Sequence, residues 1–187
     1  DALAALGVDA ISAQGAEAGG HRGTFLGRFE DSLVGALALV QKLVARVRLP
    51  VLAAGGIVDG RGIRAALAAG ASAVQLGTAF MLCPEAGTNA AHREALTSAS
   101  AERTVITRAF SGRPARAIRN RMTDAFEALA AAPFPQQQRL TAELRAAATV
   151  AGRVDLMQLW AGQGAPLLRA LPAGELVATL AREAGLS

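Results

Sequence analysis

His21 lies in a run of small residues, Gln14-Gly15-Ala16-Glu17-Ala18-Gly19-Gly20-His21-Arg22-Gly23. An imidazole in a glycine-flanked loop titrates near neutral pH and can serve as a general base. Gln14 offers an amide able to bond a ring edge or a carbonyl. The other reading is a structural histidine that caps or bonds the backbone. Two more glycine turns follow: Ala54-Gly55-Gly56-Ile57, leading into Asp59-Gly60-Arg61-Gly62, and Gln75-Leu76-Gly77-Thr78. Glycine lets a main chain approach a phosphate closely, and amides at a helix start aim their N–H groups at it. The turns read either as a phosphate site or as tight βα turns with no ligand.

Other reactive residues carry less. His92, in Ala90-Ala91-His92-Arg93-Glu94, is read as part of a solvated helix face. Cys83, between Leu82 and Pro84, is read as a buried, inert thiol. Two histidines, one cysteine and scattered carboxylates show no metal-ligand spacing. Neither a Gly-x-Ser-x-Gly elbow nor a Walker loop occurs. Arg108 to Arg121 holds five arginines and no acid. It is read as a solvated or internally paired surface loop, with an anionic substrate or a partner subunit as the alternative.

The elements that must position these residues alternate. Residues 8–14 read as a buried strand, 32–47 as a helix stopped by Pro50, and 50–56 as a second strand. Residues 61–69 read as a short helix closed by Gly70, and 73–77 as a third strand. Strands without polar alternation, joined by helices, predict a parallel sheet covered on both faces. Beyond Pro84 the pattern is helical with interruptions to residue 130. Residues 132–135 form a break, and helices follow at 141–151 and 174–184. In α/β folds ligands sit at the carboxyl ends of strands, which is where all three glycine-rich turns fall. The predicted division is 1–83, a partial (β/α) barrel, and 84–187, a mainly helical part packed on it.

Composition narrows the class. The chain has 187 residues, 52% hydrophobic and 18% charged, with 20 glycines. That is too apolar for a disordered chain. No apolar run of membrane-spanning length occurs. The +4 charge is carried by arginine, with Lys42 the lone lysine, but aromatics are 4% and tyrosine is absent. Stacking platforms for bases are scarce, so nucleic acid is not expected as a partner. A single cysteine fits a reducing compartment, so a cytoplasmic location is expected. The abrupt start at Asp1 reads as a cut edge. Three parallel strands do not close a barrel, which needs about 200 to 250 residues. The expected fold is therefore α/β: the C-terminal part of a (β/α)8 TIM barrel plus a helical extension.

Taken together in order, these stretches resemble the nitronate monooxygenases, also called 2-nitropropane dioxygenases. The resemblance rests on 13–23, on Pro50-Val51-Leu52-Ala53-Ala54-Gly55-Gly56-Ile57 and on Val74-Gln75-Leu76-Gly77-Thr78-Ala79-Phe80. It extends to Arg108-Ala109-Phe110-Ser111-Gly112-Arg113-Pro114-Ala115-Arg116 and to Leu159-Trp160-Ala161-Gly162-Gln163. Gln41-Lys42 depart from it, standing where a Pro-Gln pair is common. The resemblance implies a (β/α)8 barrel with FMN and no metal. It implies that Gln14 and Gly19 contact the flavin, that Gly55, Gly56, Gln75, Leu76, Gly77 and Thr78 hold its phosphate end, and that His21 is the base. The implied reaction is oxidation of a nitronate or nitroalkane by O2 to a carbonyl compound and nitrite. Trp160 is read either as a wall of the substrate cavity or as core. Two other outcomes stay open: a flavin-dependent enoyl-acyl-carrier-protein reductase, or another NAD(P)H-dependent reductase, of the same superfamily; and a fragment that is catalytically incomplete alone. A homo-oligomer is a further expectation.

Overall fold

The computed structural model describes residues 2–186. In chain order the elements are β1 (Ile11–Gln14), β2 (Gly20–His21), α1 (Ala36–Val44), β3 (Val51–Ala54), α2 (Gly60–Ala68) and β4 (Ala73–Gln75). They continue with α3 (Ala90–Thr97), β5 (Thr104–Thr107), β6 (Ala115–Ile118), α4 (Arg121–Ala125), α5 (Gln136–Leu140), α6 (Ala142–Val150) and α7 (Ala173–Ala184).

Strands β1, β3 and β4 form a parallel sheet in that order, with Ala13 opposite Ala53 and Ala53 opposite Val74. Each crossover carries a helix, as parallel pairing requires. Val40 of α1 and Ala66 of α2 pack with Ala13, Val51, Ala53 and Ala71 into one apolar cluster, so both helices cover the same face. The fold is α/β with a parallel sheet and helices, as the βα alternation predicts. The sheet differs from expectation in one respect. Helices α1 and α2 cover one face only, and Ser12 and Gln75 stand exposed on the strands.

The second half holds strands where the sequence predicts helix. Strands β5 and β6 pair antiparallel, and β2 adds to β6 with His21 opposite Ala115. All four residues of β6 are buried, including Arg116. The helical expectation for 84–130 fails here because these four-residue strands show no buried–exposed alternation by which a sequence would mark them. The second sheet also crosses residue 84, since β2 comes from the first part of the chain and β5 and β6 from the second. Helix α7 presents Leu176, Leu180 and Ala184 to Ile63 of α2 and to Cys83. That spacing is the apolar stripe of a helix laid on a core.

Helix α2 starts at a capped turn. Asp59 Oδ1 accepts the Gly62 N–H at 2.8 Å, and Oδ2 accepts Arg61 Nε at 2.9 Å. The Gly62 amide, with help from Arg61, holds the Asp59 carboxyl below the usual carboxylate range, against a smaller opposing effect of desolvation. Its folded pKa is thus below its unfolded one. The stabilisation is fully present above about pH 4 and fades as pH falls through the folded value. Asp59→Ala is expected to cost about 1 kcal/mol at neutral pH. Urea unfolding at pH 7 and again in acid should show that difference narrow.

Candidate functional site

Two of the predicted glycine-rich turns, 15–19 and 55–56, meet main chain against main chain. Gly55 and Gly56 have φ of +116° and +71°, a region that L side chains rarely enter. They turn β3 back beneath the 15–19 loop, where a Cβ on Gly55 would come 3.0 Å from the Ala18 nitrogen. A third segment, 160–164, closes the stack. A Cβ on Gly19 would lie 2.5 Å from the Gly162 nitrogen, and one on Gly164 would lie 2.8 Å from the Gly56 carbonyl oxygen. Gln163 N–H donates to the Glu17 carbonyl at 2.9 Å, and Gly162 N–H donates to Thr78 Oγ1 at 3.0 Å.

A cavity of about 450 Å³ opens over this stack, a size in the range of small-molecule sites. Gln14, Gly19, Gly55, Gly56, Gln75, Gly77 and Thr78 all line it, together with Ser12, Gly23, Gly162 and Gly164. Leu76 does not line it; its side chain packs into the cluster of Ile63, Cys83 and Leu176. Among the described residues, the amides of Gly55, Gly56, Gly77 and Thr78 donate to no main-chain acceptor. Gln75 gives its Oε1 to the Ser12 hydroxyl at 3.0 Å, which leaves its NH2 group for a ligand.

Gln14 has a second task. Its Nε2 donates to the His21 carbonyl at 2.9 Å, and its Oε1 accepts the Gly23 N–H at 2.7 Å. It therefore clips the histidine segment to the end of β1. Two buried arginines hold the preceding turn. Arg22, 3% exposed, donates to the carbonyls of Gly15 and Gln14, and Arg116, 7% exposed, donates to that of Ala16. The Glu17 carboxylate accepts the Ala36 N–H at the start of α1, where the helix dipole favours an anion.

His21 lies next to the cavity lining without being part of it. Its main chain touches Gln14, while its ring lies 5.3 Å from that of Trp160 and its Nε2 sits 2.7 Å from Ser111 Oγ. Trp160 in turn meets the buried Phe110 edge-on at 5.5 Å, so it joins core and site. Desolvation by these neighbours, then the Arg113 guanidinium, pushes the His21 pKa below its ordinary value. The neutral ring is the form that can accept a proton. Arg113→Gln is expected to move the His21 titration upward, only in part, because the packing stays. Proton NMR titration of the His21 ring reads it directly.

Three side readings are settled by burial. His92 is 8% exposed, not on a solvated face. His92, Ala95 and Leu96 share the inward face of α3 at i, i+3 and i+4. The arginine-rich stretch is not simply a solvated loop, since Arg116 lies inside the second sheet. Cys83 is 1% exposed, and desolvation raises its thiol pKa, as expected of an inert cysteine. Among the described residues, no group of His, Cys, Asp or Glu has metal-binding geometry, and no helix is long and apolar enough to cross a membrane.

Comparison with known proteins gives this arrangement its context. The family model described as nitronate monooxygenase matches residues 1–183. The chain belongs to the nitronate monooxygenase family. It is 54% identical over 182 residues to a nitronate monooxygenase of Pseudomonas aeruginosa, covering 96% of this chain and 52% of that protein. It is 50% identical to one from Paraburkholderia phytofirmans, covering 96% of this chain and 50% of that protein. The chain thus spans about half the length of the curated relatives it matches. A solved nitroalkane oxidase from Streptomyces ansochromogenes superposes with a TM-score of 0.94 at 48% identity, over 98% of this chain and 54% of that one. FabK from Thermotoga maritima gives a TM-score of 0.78 at 33% identity, over 98% and 57% respectively. The fold is that of part of a TIM-barrel-like domain.

Within this nitronate monooxygenase fold, sequence reasoning missed Ser12, Gly23, Gly162 and Gly164 as lining residues and gave Ser111 no role. The Gly162-Gln163-Gly164 spacing was the available signal for the third loop. Nothing local marks Ser111, which reaches His21 only through the pairing of β2 with β6.

Proposed function

We propose that this chain forms the flavin-phosphate and base side of an FMN-dependent nitronate monooxygenase, a cytoplasmic flavoprotein. The observation that carries the reading is the convergence of Gln14, Gly19, Gly55, Gly56, Gln75, Gly77 and Thr78 on one cavity. The residues present fit FMN. Amides without a main-chain acceptor at Gly55, Gly56, Gly77 and Thr78 suit a phosphate dianion. The Gln14 and Gln75 side chains suit the polar edge of a flavin ring, and Gly19, with no Cβ, lets the 161–162 main chain close the wall beside it. Leu76 would contribute through its main chain. In this assignment residues 1–83 carry the flavin-binding loops, and 84–187 pack on them and supply the 160–164 segment. The lone buried thiol of Cys83 supports a reducing setting.

When bound, FMN would supply the redox capacity by which O2 converts a nitronate to a carbonyl compound and nitrite. The chain's own residues do the rest. Carbon beside a nitro group is acidic because the nitro oxygens take up the charge. His21, neutral at physiological pH, removes that proton from the substrate carbon. Gln14 holds the histidine segment in register with the cavity, and Trp160 limits the ring's tilt.

The test is an anaerobic mixing experiment on the FMN-loaded protein. Bleaching of the flavin by an alkyl nitronate, with O2 uptake and nitrite release on aeration, is the expected result. Rapid bleaching by NADH or NADPH and none by a nitronate would instead assign the site to a reductase of FabK type, the outcome favoured by the FabK likeness. Failure to bind FMN at all would mark the chain as incomplete alone.

A further inference from the structure

The Ser111 hydroxyl invites an accounting. A hydroxyl has one proton to donate and two lone pairs. Ser111 is 3% exposed, and its Oγ donates to the Arg113 carbonyl at 3.2 Å and accepts the Arg113 N–H at 3.3 Å. One lone pair is then left, and His21 Nε2 lies 2.7 Å away. The arrangement that satisfies every group has Nε2 protonated and donating to Ser111. The neutral imidazole then carries its basic lone pair on Nδ1.

The main chain on both sides of Ser111 is fixed. The Phe110 carbonyl accepts the buried Thr141 hydroxyl at 2.7 Å, and Gly112 N–H donates to the Arg108 carbonyl at 2.8 Å. Phe110 is fully buried and packs edge-on against Trp160, which flanks the His21 ring. The hydroxyl is therefore a fixed post, and the imidazole, otherwise exposed, is the movable partner.

We propose that Ser111 is a positioning residue for His21, holding the ring in the Nε2–H tautomer and leaving Nδ1 as the atom that takes the substrate proton. The proposal rests on the reading of His21 as base, and its test separates the two. A free imidazole samples both tautomers and several rotamers. A hydrogen-bonded anchor on one nitrogen fixes both choices, which is how a base is kept in reacting geometry.

Two readouts decide it. In nitrogen-15 spectra of histidine-labelled protein above the ring's pKa, assigned with His21→Asn, wild type should show the Nε2–H pattern. Ser111→Ala should show shifts averaged between tautomers, and Ser111→Thr, which keeps the hydroxyl, should restore the wild-type pattern. In the FMN-loaded protein, Ser111→Ala should lower kcat/KM for a neutral nitroalkane by about 10- to 100-fold while turnover of preformed nitronate stays within about twofold. Ser111→Cys, closer in size and a weak acceptor, gives the same contrast should the alanine variant fold poorly. An Nδ1–H pattern in wild type, a pattern unmoved by Ser111→Ala, or equal loss on both substrates would overturn the proposal. If His21→Asn costs nothing on nitroalkane, the base reading alone fails, and the tautomer spectra still decide what Ser111 does.

Discussion

His21→Asn is expected to slow turnover of a neutral nitroalkane by about 10²- to 10⁴-fold, the usual contribution of a positioned general base. Preformed nitronate should be oxidised at close to the wild-type rate, because it has already lost the proton that His21, as the proposed base, would remove. Asparagine is shorter, its amide reaching about as far as Nδ1, so the variant removes the base together with the ring's bond to Ser111 Oγ. The measurement is steady-state oxygen uptake on both forms of one substrate. Equal loss on both would mean that the imidazole serves the site through its packing and not as a base. The pH profile adds a second check. Desolvation and Arg113 hold the ring neutral to lower pH than a free histidine, so the base-dependent rate should persist below the pH at which an ordinary imidazole is half protonated.

Gly19→Ala should be the most damaging single methyl in the site. The added carbon would lie 2.5 Å from the Gly162 nitrogen and 2.6 Å from the Ala161 carbonyl carbon, both main-chain atoms with no rotamer to yield. The 160–164 segment must move away, and two bonds go with it: Gly162 N–H to Thr78 and Gln163 N–H to Glu17. Overpacking of this kind costs about 1–3 kcal/mol. The same displacement spoils the cavity floor, so FMN affinity is expected to fall about 10- to 100-fold, or about 1.4–2.8 kcal/mol. Fluorescence titration with FMN, alongside thermal unfolding, measures both. Gly77→Ala is the natural control, since a Cβ there meets nothing within 4 Å. It should leave stability nearly unchanged.

How far the molecule could be read from its residues depended on the range of the interactions. The parallel strands were legible because Val51, Leu52, Ala53 and Ala54 form an apolar run that ends in Gly55-Gly56. The candidate cofactor residues were legible because each glycine turn follows its strand directly. The second sheet was not, since β5 and β6 look like helix until their partner is known, and that partner includes Gly20 and His21 from far earlier in the chain. Arg116 read as part of a solvated or internally paired surface loop, and Arg22 drew no reading of its own, for the same reason. Their role is to donate to carbonyls at Gly15, Gln14 and Ala16, acceptors that a sequence does not display. Ser111 is the sharpest case, lying 90 positions along the chain from His21.

The backbone stack of the 15–19, 55–56 and 162–164 segments has a practical consequence for anyone wishing to widen the range of molecules accepted. Those segments leave no volume to trade, so a mutant library aimed at them would mostly return dead clones. Variation belongs on the rim, where Phe25 lines the same cavity yet is 81% exposed and rests against Arg113. Diversifying that position and its neighbours would reshape the entrance while the floor beneath it stays as it is.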